Sequence, residues 1–226
     1  EILNQSLNTG AVYVARKLGN ERFSDYMLSF GFGEKTGIDL PSETVGLVKN
    51  LKSNRDIEVA TASFGQGFAV TPIAIARALS ALANGGMLIT PHVVNYIDYK
   101  EALRLDTPEK NAELPKVISK EASEGITRML VQVVDKALLG GTVKMPDFSI
   151  AAKTGTAQIA DSRGGYYDDR FLHTFFGYFP AYDPKFLVFL YLKEPKNVRF
   201  ASETLTNPFI DIVNFLIHYY QVPPDR

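Results

Sequence analysis

Three short apolar runs, residues 148–153, 172–179 and 186–193, constrain what this chain can fold into more than any other feature. Their length, their content of Phe, Leu, Val and Ile, and the turn formers around them mark extended segments rather than helices. Only Pro180-Ala181-Tyr182-Asp183-Pro184 separates the last two, so the runs read as consecutive antiparallel strands. A final amphipathic stretch, 206–220, is broken by Pro223-Pro224 and is predicted to be the helix that covers one face of the sheet. The expected fold class is α+β, an antiparallel sheet covered by helices, with no internal repeat.

Upstream, helical spacing over 9–18 and 21–29 predicts two short helices, the second ended by Gly31-Phe32-Gly33. The polar stretch 37–54, with Pro41 and Gly46, is expected to be loop. Thr71-Pro72 is the clearest helix start: Thr can cap the exposed amides and Pro suits the first helical position. Asn84-Gly85-Gly86 ends that helix, and 87–99 reads as extended. The charged, proline-punctuated stretch 100–115 is expected to be an exposed loop. Ser119 then opens a second strong helix, whose apolar face runs from Ile126 to Leu138 before Gly140-Gly141.

The 226 residues carry 24 basic and 25 acidic side chains, a formal net charge of -1. That balance excludes a strongly basic nucleic-acid binder, and no stripe of Lys and Arg is present to neutralise phosphates. The longest apolar stretch, 186–192, is far short of the roughly 20 residues that cross a bilayer. Cysteine is absent, which removes disulfides, thiolate metal sites and cysteine nucleophiles. His92, His173 and His218 are too scattered for a local ligand motif, so no metal and no other cofactor is expected. The chain opens on Glu1-Ile2-Leu3 without an initiator Met, which reads as a fragment or processed product whose targeting signals lie upstream.

Chemistry concentrates in Ala151-Ala152-Lys153-Thr154-Gly155-Thr156-Ala157, where small residues surround one cation and two hydroxyls near a strand end. On a sheet edge such a segment can hold an extended peptide by strand addition, with the hydroxyls and ammonium taking a terminal carboxylate. The other reading is a strand that ends in a solvated Lys, followed by a turn. A second cluster, Ser6-Leu7-Asn8-Thr9-Gly10, precedes the first helix, where capping alone would explain it.

Taken together, Ser6-x-Asn8 and Lys153-Thr154-Gly155 are two of the three signatures of penicillin-recognising serine enzymes. The run Phe64-Gly65-Gln66-Gly67-Phe68-Ala69-Val70-Thr71-Pro72 and Ala83-Asn84-Gly85-Gly86 resemble the monofunctional, class B penicillin-binding proteins. So do His173-Thr174-Phe175-Phe176-Gly177-Tyr178-Phe179-Pro180-Ala181, Lys193-Glu194-Pro195 and Pro223-Pro224-Asp225, and the resemblance covers essentially the whole chain.

The resemblance implies a serine β-lactamase/transpeptidase-like fold, incomplete at its N-terminal side, with residues 1–226 forming the C-terminal portion of one transpeptidase domain. It implies a D,D-transpeptidase that cross-links peptidoglycan stem peptides through a serine ester and binds β-lactams. No serine here has Lys three positions later, so the Ser-x-x-Lys nucleophile is expected on an upstream part of the same protein. On this resemblance Ser6 relays a proton between the nucleophile's lysine and the leaving or incoming amine, and Asn8 contacts the substrate peptide. Lys153 keeps the site positive and orients Ser6. Thr154 and Thr156 are partners for the terminal carboxylate, Gly155 permits close approach, and the Thr156 N–H forms half of an oxyanion hole. Other cell-wall synthesis proteins are the implied partners. The implied location is the outer face of the cytoplasmic membrane, through an anchor not in this chain.

Leu7 stands where class A β-lactamases usually have Asp, which favours a transpeptidase over those hydrolases. Asp161, Asp168 and Asp169 are expected in a loop made mobile by Gly164-Gly165, where they read as loop solvation or else as contacts to substrate or a partner protein, and Tyr166, Tyr167 and Phe171 could instead wall one side of the cleft. Two other readings stay open: a non-catalytic scaffold module of the cell-wall machinery, and a β-lactam sensor or β-lactamase.

Overall fold

The computed structural model describes residues 1–53, 55–99, 103–106 and 114–226. The chain divides into two compact units, Ala11–Ser123 on the one hand and Glu1–Gly10 with Glu124–Arg226 on the other. No described helix is long and apolar enough to cross a membrane.

In the first unit, α1 (Asn8–Leu18, of which the first turn belongs to the other unit) and α2 (Asn20–Ser29) match the predicted pair. Gly19 joins them at φ 91°, a backbone conformation that favours glycine. Residues 37–53 form no long element, as expected, but they are pinned. The Glu43 carboxylate accepts from the Thr36 N–H and hydroxyl, both at 2.6 Å, and from the Gly37 N–H at 3.2 Å. Asp39 accepts from the N–H groups of Val93 and Val94 at 2.8 and 2.9 Å.

Helix α3 (Asp56–Ser63) had no counterpart among the sequence predictions. It has only eight residues, no side-chain cap at its start, and an apolar pattern of small buried residues beside an exposed Ile57. Helix α4 (Pro72–Ala83) starts as predicted, with Thr71 Oγ1 accepting from Ala74 N–H at 3.3 Å and Pro72 in the first turn. Asn84 closes it by bonding the Met87 N–H and carbonyl at 2.9 and 2.8 Å. Two predictions need correction here. Of the extended stretch 87–99 only β1 (Tyr96–Tyr99) is a strand, apart from a bridge at Met87. Within the expected loop 100–115, residues 103–106 form β2 (Leu103–Asp106), which pairs antiparallel with β1. The remainder of that loop up to residue 113 lies outside the described residues.

The second unit contains most of α5 (Lys120–Gln132), whose start is capped by Ser119 Oγ accepting from Ala122 N–H at 3.1 Å. The helix then widens into a π turn over Val133–Ala137 and ends in a 3-10 turn over Leu138–Gly141. Strands β3 (Ala151–Ala160), β4 (Tyr166–Phe179) and β5 (Phe186–Lys193) form one antiparallel sheet in the order β3-β4-β5, and α6 (Ala201–Tyr219) follows. The predicted class and the antiparallel order hold.

The boundaries differ where polarity hid the pattern. β3 begins at Ala151 and continues to Ala160, and β4 starts at Tyr166, so Tyr166, Tyr167, Asp168 and Asp169 lie on a strand rather than in a loop. Only 161–165 turn, with Gly164 and Gly165 at positive φ and Asp161 Oδ1 accepting from Arg163 N–H at 2.9 Å. Helix α6 starts five residues before its predicted start at 206; Glu203 in its first turn accepts from the Phe200 N–H at 3.2 Å.

One sheet face packs against α6. Phe175 stacks on Phe209 with centroids 4.3 Å apart, amid buried Phe179, Val213, Ile217, Ile150 and Ala152. Gly177 is required there, because a Cβ would stand 2.5 Å from Phe209 Cζ. On the opposite face the buried Tyr178 hydroxyl meets Thr127 Oγ1 of α5 at 2.7 Å. Beyond α6, Asp225 accepts from the Ser149 N–H at 2.7 Å and from its hydroxyl, and Arg226 pairs with Asp135 at 2.6 Å. The Asp225 bonds tie the Pro-Pro-Asp segment to the lead-in of β3, and the Arg226 pair ties the residue after it to the π turn that follows α5.

Candidate active site

Side chains alternate between the two faces of a strand, so β3 sends its chemistry in two directions. Lys153 and Gly155 lie opposite Phe176 and Thr174, on the face where Tyr178 meets α5. Thr154 and Thr156 lie opposite Phe175 and His173, on the α6 face. Among the described residues β3 pairs with β4 alone, so its other edge is unpaired.

Lys153 reaches 147 residues back along the chain: its ammonium donates to Ser6 Oγ at 2.8 Å and to its neighbouring Thr154 carbonyl at 2.9 Å. Burial pushes its pKa below the ordinary lysine value, because partial desolvation disfavours the charged form. Ser6 is exposed and sits at φ 51°, in the left-handed region that few non-glycine residues occupy. A tight turn holds it, with Gln5 N–H bonded to Glu1 O at 2.9 Å and Leu7 N–H to Ile2 O at 3.0 Å. Asn8 is the exposed first residue of α1, two positions on.

Gly155 brings β3 close to β4. A Cβ at this position would fall 2.4 Å from Thr174 Oγ1, which donates weakly to the Gly155 carbonyl at 3.4 Å. Thr156 is exposed, and its Oγ1 accepts from the Ala201 N–H at the start of α6, 3.0 Å away.

The structure therefore brings Ser6 and Lys153 into contact and sets Thr154 and Thr156 on the other face of the same edge strand. Asp168 and Asp169 are exposed on β4, in an irregularity where four β4 residues, 167–170, face one residue of β3. Arg170 lies over the Tyr167 ring at 4.1 Å, and Asp161 pairs with Arg163 at 2.7 Å. Sequence reasoning gave His173 no place in the site, treating it as an isolated potential metal ligand and as the first residue of a run that resembles the family. His173 is fully buried and hydrogen-bonded through both ring nitrogens, and its place opposite Thr156 becomes visible only once the strand register is known.

The family profile of the penicillin binding protein transpeptidase domain matches residues 1–214. The chain belongs to the penicillin-binding protein transpeptidase family. Stage V sporulation protein D of Bacillus subtilis is 35% identical over 212 residues, which cover 93% of this chain and 32% of that protein. A peptidoglycan D,D-transpeptidase FtsI homolog of Mesostigma viride is 28% identical over 239 residues, covering 99% of this chain and 40% of that protein. Among solved structures, penicillin binding protein 3 of Mycobacterium tuberculosis, complexed with aztreonam, superposes with a TM-score of 0.88 at 27% identity. That match covers 100% of this chain and 52% of that one. The chain thus spans about a third of the length of the curated relatives it matches, and its fold is that of the penicillin-binding transpeptidases.

Proposed function

We propose that residues 1–226 are the C-terminal portion of one transpeptidase domain, to which both compact units belong, in a peptidoglycan D,D-transpeptidase that also reacts with β-lactams. The single observation that carries this reading is the 2.8 Å bond from Lys153 Nζ to Ser6 Oγ, which joins two signatures 147 residues apart. The names of two matches, a peptidoglycan D,D-transpeptidase FtsI homolog and penicillin binding protein 3, favour acyl transfer over a scaffold or a hydrolase.

In the proposed reaction a Ser-x-x-Lys serine from outside these residues attacks the carbonyl of the donor stem peptide. The nucleophile's proton passes through the Ser-x-x-Lys lysine to Ser6, whose hydroxyl, its oxygen accepting from Lys153, gives a proton to the D-alanine amine as the acyl–nitrogen bond breaks. Lys153 adds positive potential, and with Thr154 and Thr156 it draws the terminal carboxylate. Asn8 contacts the peptide, Gly155 lets it approach the edge of β3, and the Thr156 N–H stabilises the oxyanion of the tetrahedral intermediate. An incoming amine then takes the acyl group, and its proton passes through Ser6 and the Ser-x-x-Lys lysine back to the serine oxygen as the ester bond breaks. Other cell-wall synthesis proteins are the proposed partners. The proposed location is the cell envelope, at the outer face of the cytoplasmic membrane.

The assignment is tested in the longer protein that carries a Ser-x-x-Lys segment. Ser6→Ala and Lys153→Ala are each expected to slow benzylpenicillin acylation about 100-fold, and the double variant should be little worse than the slower single one. Unchanged rates in both remove the assignment, and a loss confined to Lys153→Ala leaves Ser6 as a helix cap.

A further inference from the structure

We infer that His173 is a positioning residue for the Thr156 hydroxyl, acting through the first turn of α6; the inference rests on the transpeptidase reading above. His173 is fully buried and lies directly opposite Thr156 in the β3–β4 register. Its Nε2 is 2.9 Å from the Arg199 carbonyl and its Nδ1 is 2.8 Å from Thr204 Oγ1. A carbonyl only accepts, so Nε2 carries the proton, while Nδ1 and Thr204 Oγ1 share one hydrogen bond and the Thr204 hydroxyl also reaches the Ala201 carbonyl at 3.4 Å. The two bonds grip the chain on either side of Ala201.

That grip matters because Ala201 supplies one of the N–H groups that a helix start leaves without an internal partner. Ala201 is fully buried, and its N–H donates to Thr156 Oγ1 at 3.0 Å. A hydroxyl has one proton. With its oxygen accepting from Ala201, Thr156 keeps that proton for an acceptor elsewhere, and the residue is exposed on an edge strand. The acceptor that fits is a carboxylate of the donor peptide or of a β-lactam. His173 touches neither Ala201 N nor the substrate; it sets the turn that sets the hydroxyl.

The test compares acylation of the longer protein by benzylpenicillin and by its methyl ester, which lacks the free carboxylate. His173→Leu is expected to slow benzylpenicillin about 10-fold, the scale of one hydrogen bond to a charged group, and to leave the ester within about twofold. Thr204→Val removes one side of the grip with little change of shape and should show the same selectivity, which covers the case in which His173→Leu does not fold. His173→Gln retains a donor for the Arg199 carbonyl and should recover part of the loss. In a Thr156→Val background His173→Leu should add less than about twofold. Equal losses for both probes, or losses that multiply in the double variant, overturn the inference. A parent protein that neither probe acylates overturns the transpeptidase reading itself, and this inference with it.

Discussion

Lys153 is the residue whose environment departs most usefully from its reference state. Its pKa lies below the ordinary lysine value because burial disfavours the ammonium. Between the folded and unfolded values the folded chain therefore binds fewer protons, so the contribution of Lys153 to stability rises as pH climbs through the folded value toward about 10.4. Titration of the Lys153 side chain by NMR should give a midpoint below about 10.4, and Lys153→Met should flatten that rise; a midpoint at or above it would show that burial does not disfavour the ammonium. Gly155 acts through space rather than charge. Gly155→Ala would drive a methyl onto Thr174 Oγ1 and should destabilise the fold by about 1–3 kcal/mol, read by denaturant unfolding. The Ser6–Lys153 contact was legible from sequence because motif spacing survives without coordinates. The proposed role of His173 was not, because it depends on which residue it faces across the sheet.

At the scale of elements, legibility followed local chemistry. Helix α4 was readable because Thr71, Pro72 and Asn84 carry its start and stop in their own side chains. The β3–β4 hairpin was read too short because its outer half is polar: Gln158, Asp168, Asp169 and Arg170 give no apolar alternation, and register with the partner strand extends it. Helix α3 had neither a cap nor a clear stripe. The loop 36–43 shows how an irregular segment can still be rigid. The Glu43 carboxylate is held below its usual range first by the Thr36 hydroxyl and then by the Thr36 and Gly37 N–H groups. Its contribution to stability is present above the ordinary glutamate value and is lost as pH falls through the lowered folded value. Glu43→Ala should destabilise the chain by about 1–3 kcal/mol near neutral pH, and the difference from the parent should shrink in acid. A difference independent of pH would show that the charge is not what holds the loop.

For the whole molecule, the family profile spans residues 1–214, while the matched curated relatives are about three times as long as the region they share with this chain. The overall α+β class was legible because three apolar runs and a terminal helix leave few alternatives; the division into two compact units was not, since α1 and α5 run on from one into the other. On the proposed function, these residues supply the proton-relay and carboxylate-binding side of a serine acyl-transfer site whose nucleophile lies outside them. The 226-residue chain by itself is accordingly expected to take no penicilloyl adduct. The direct measurement is peptide mapping by mass spectrometry of the longer protein after reaction with benzylpenicillin. A single adduct is expected on the serine of a Ser-x-x-Lys segment outside Glu1–Arg226, and an adduct on any serine within these residues, or none at all, overturns the proposed site.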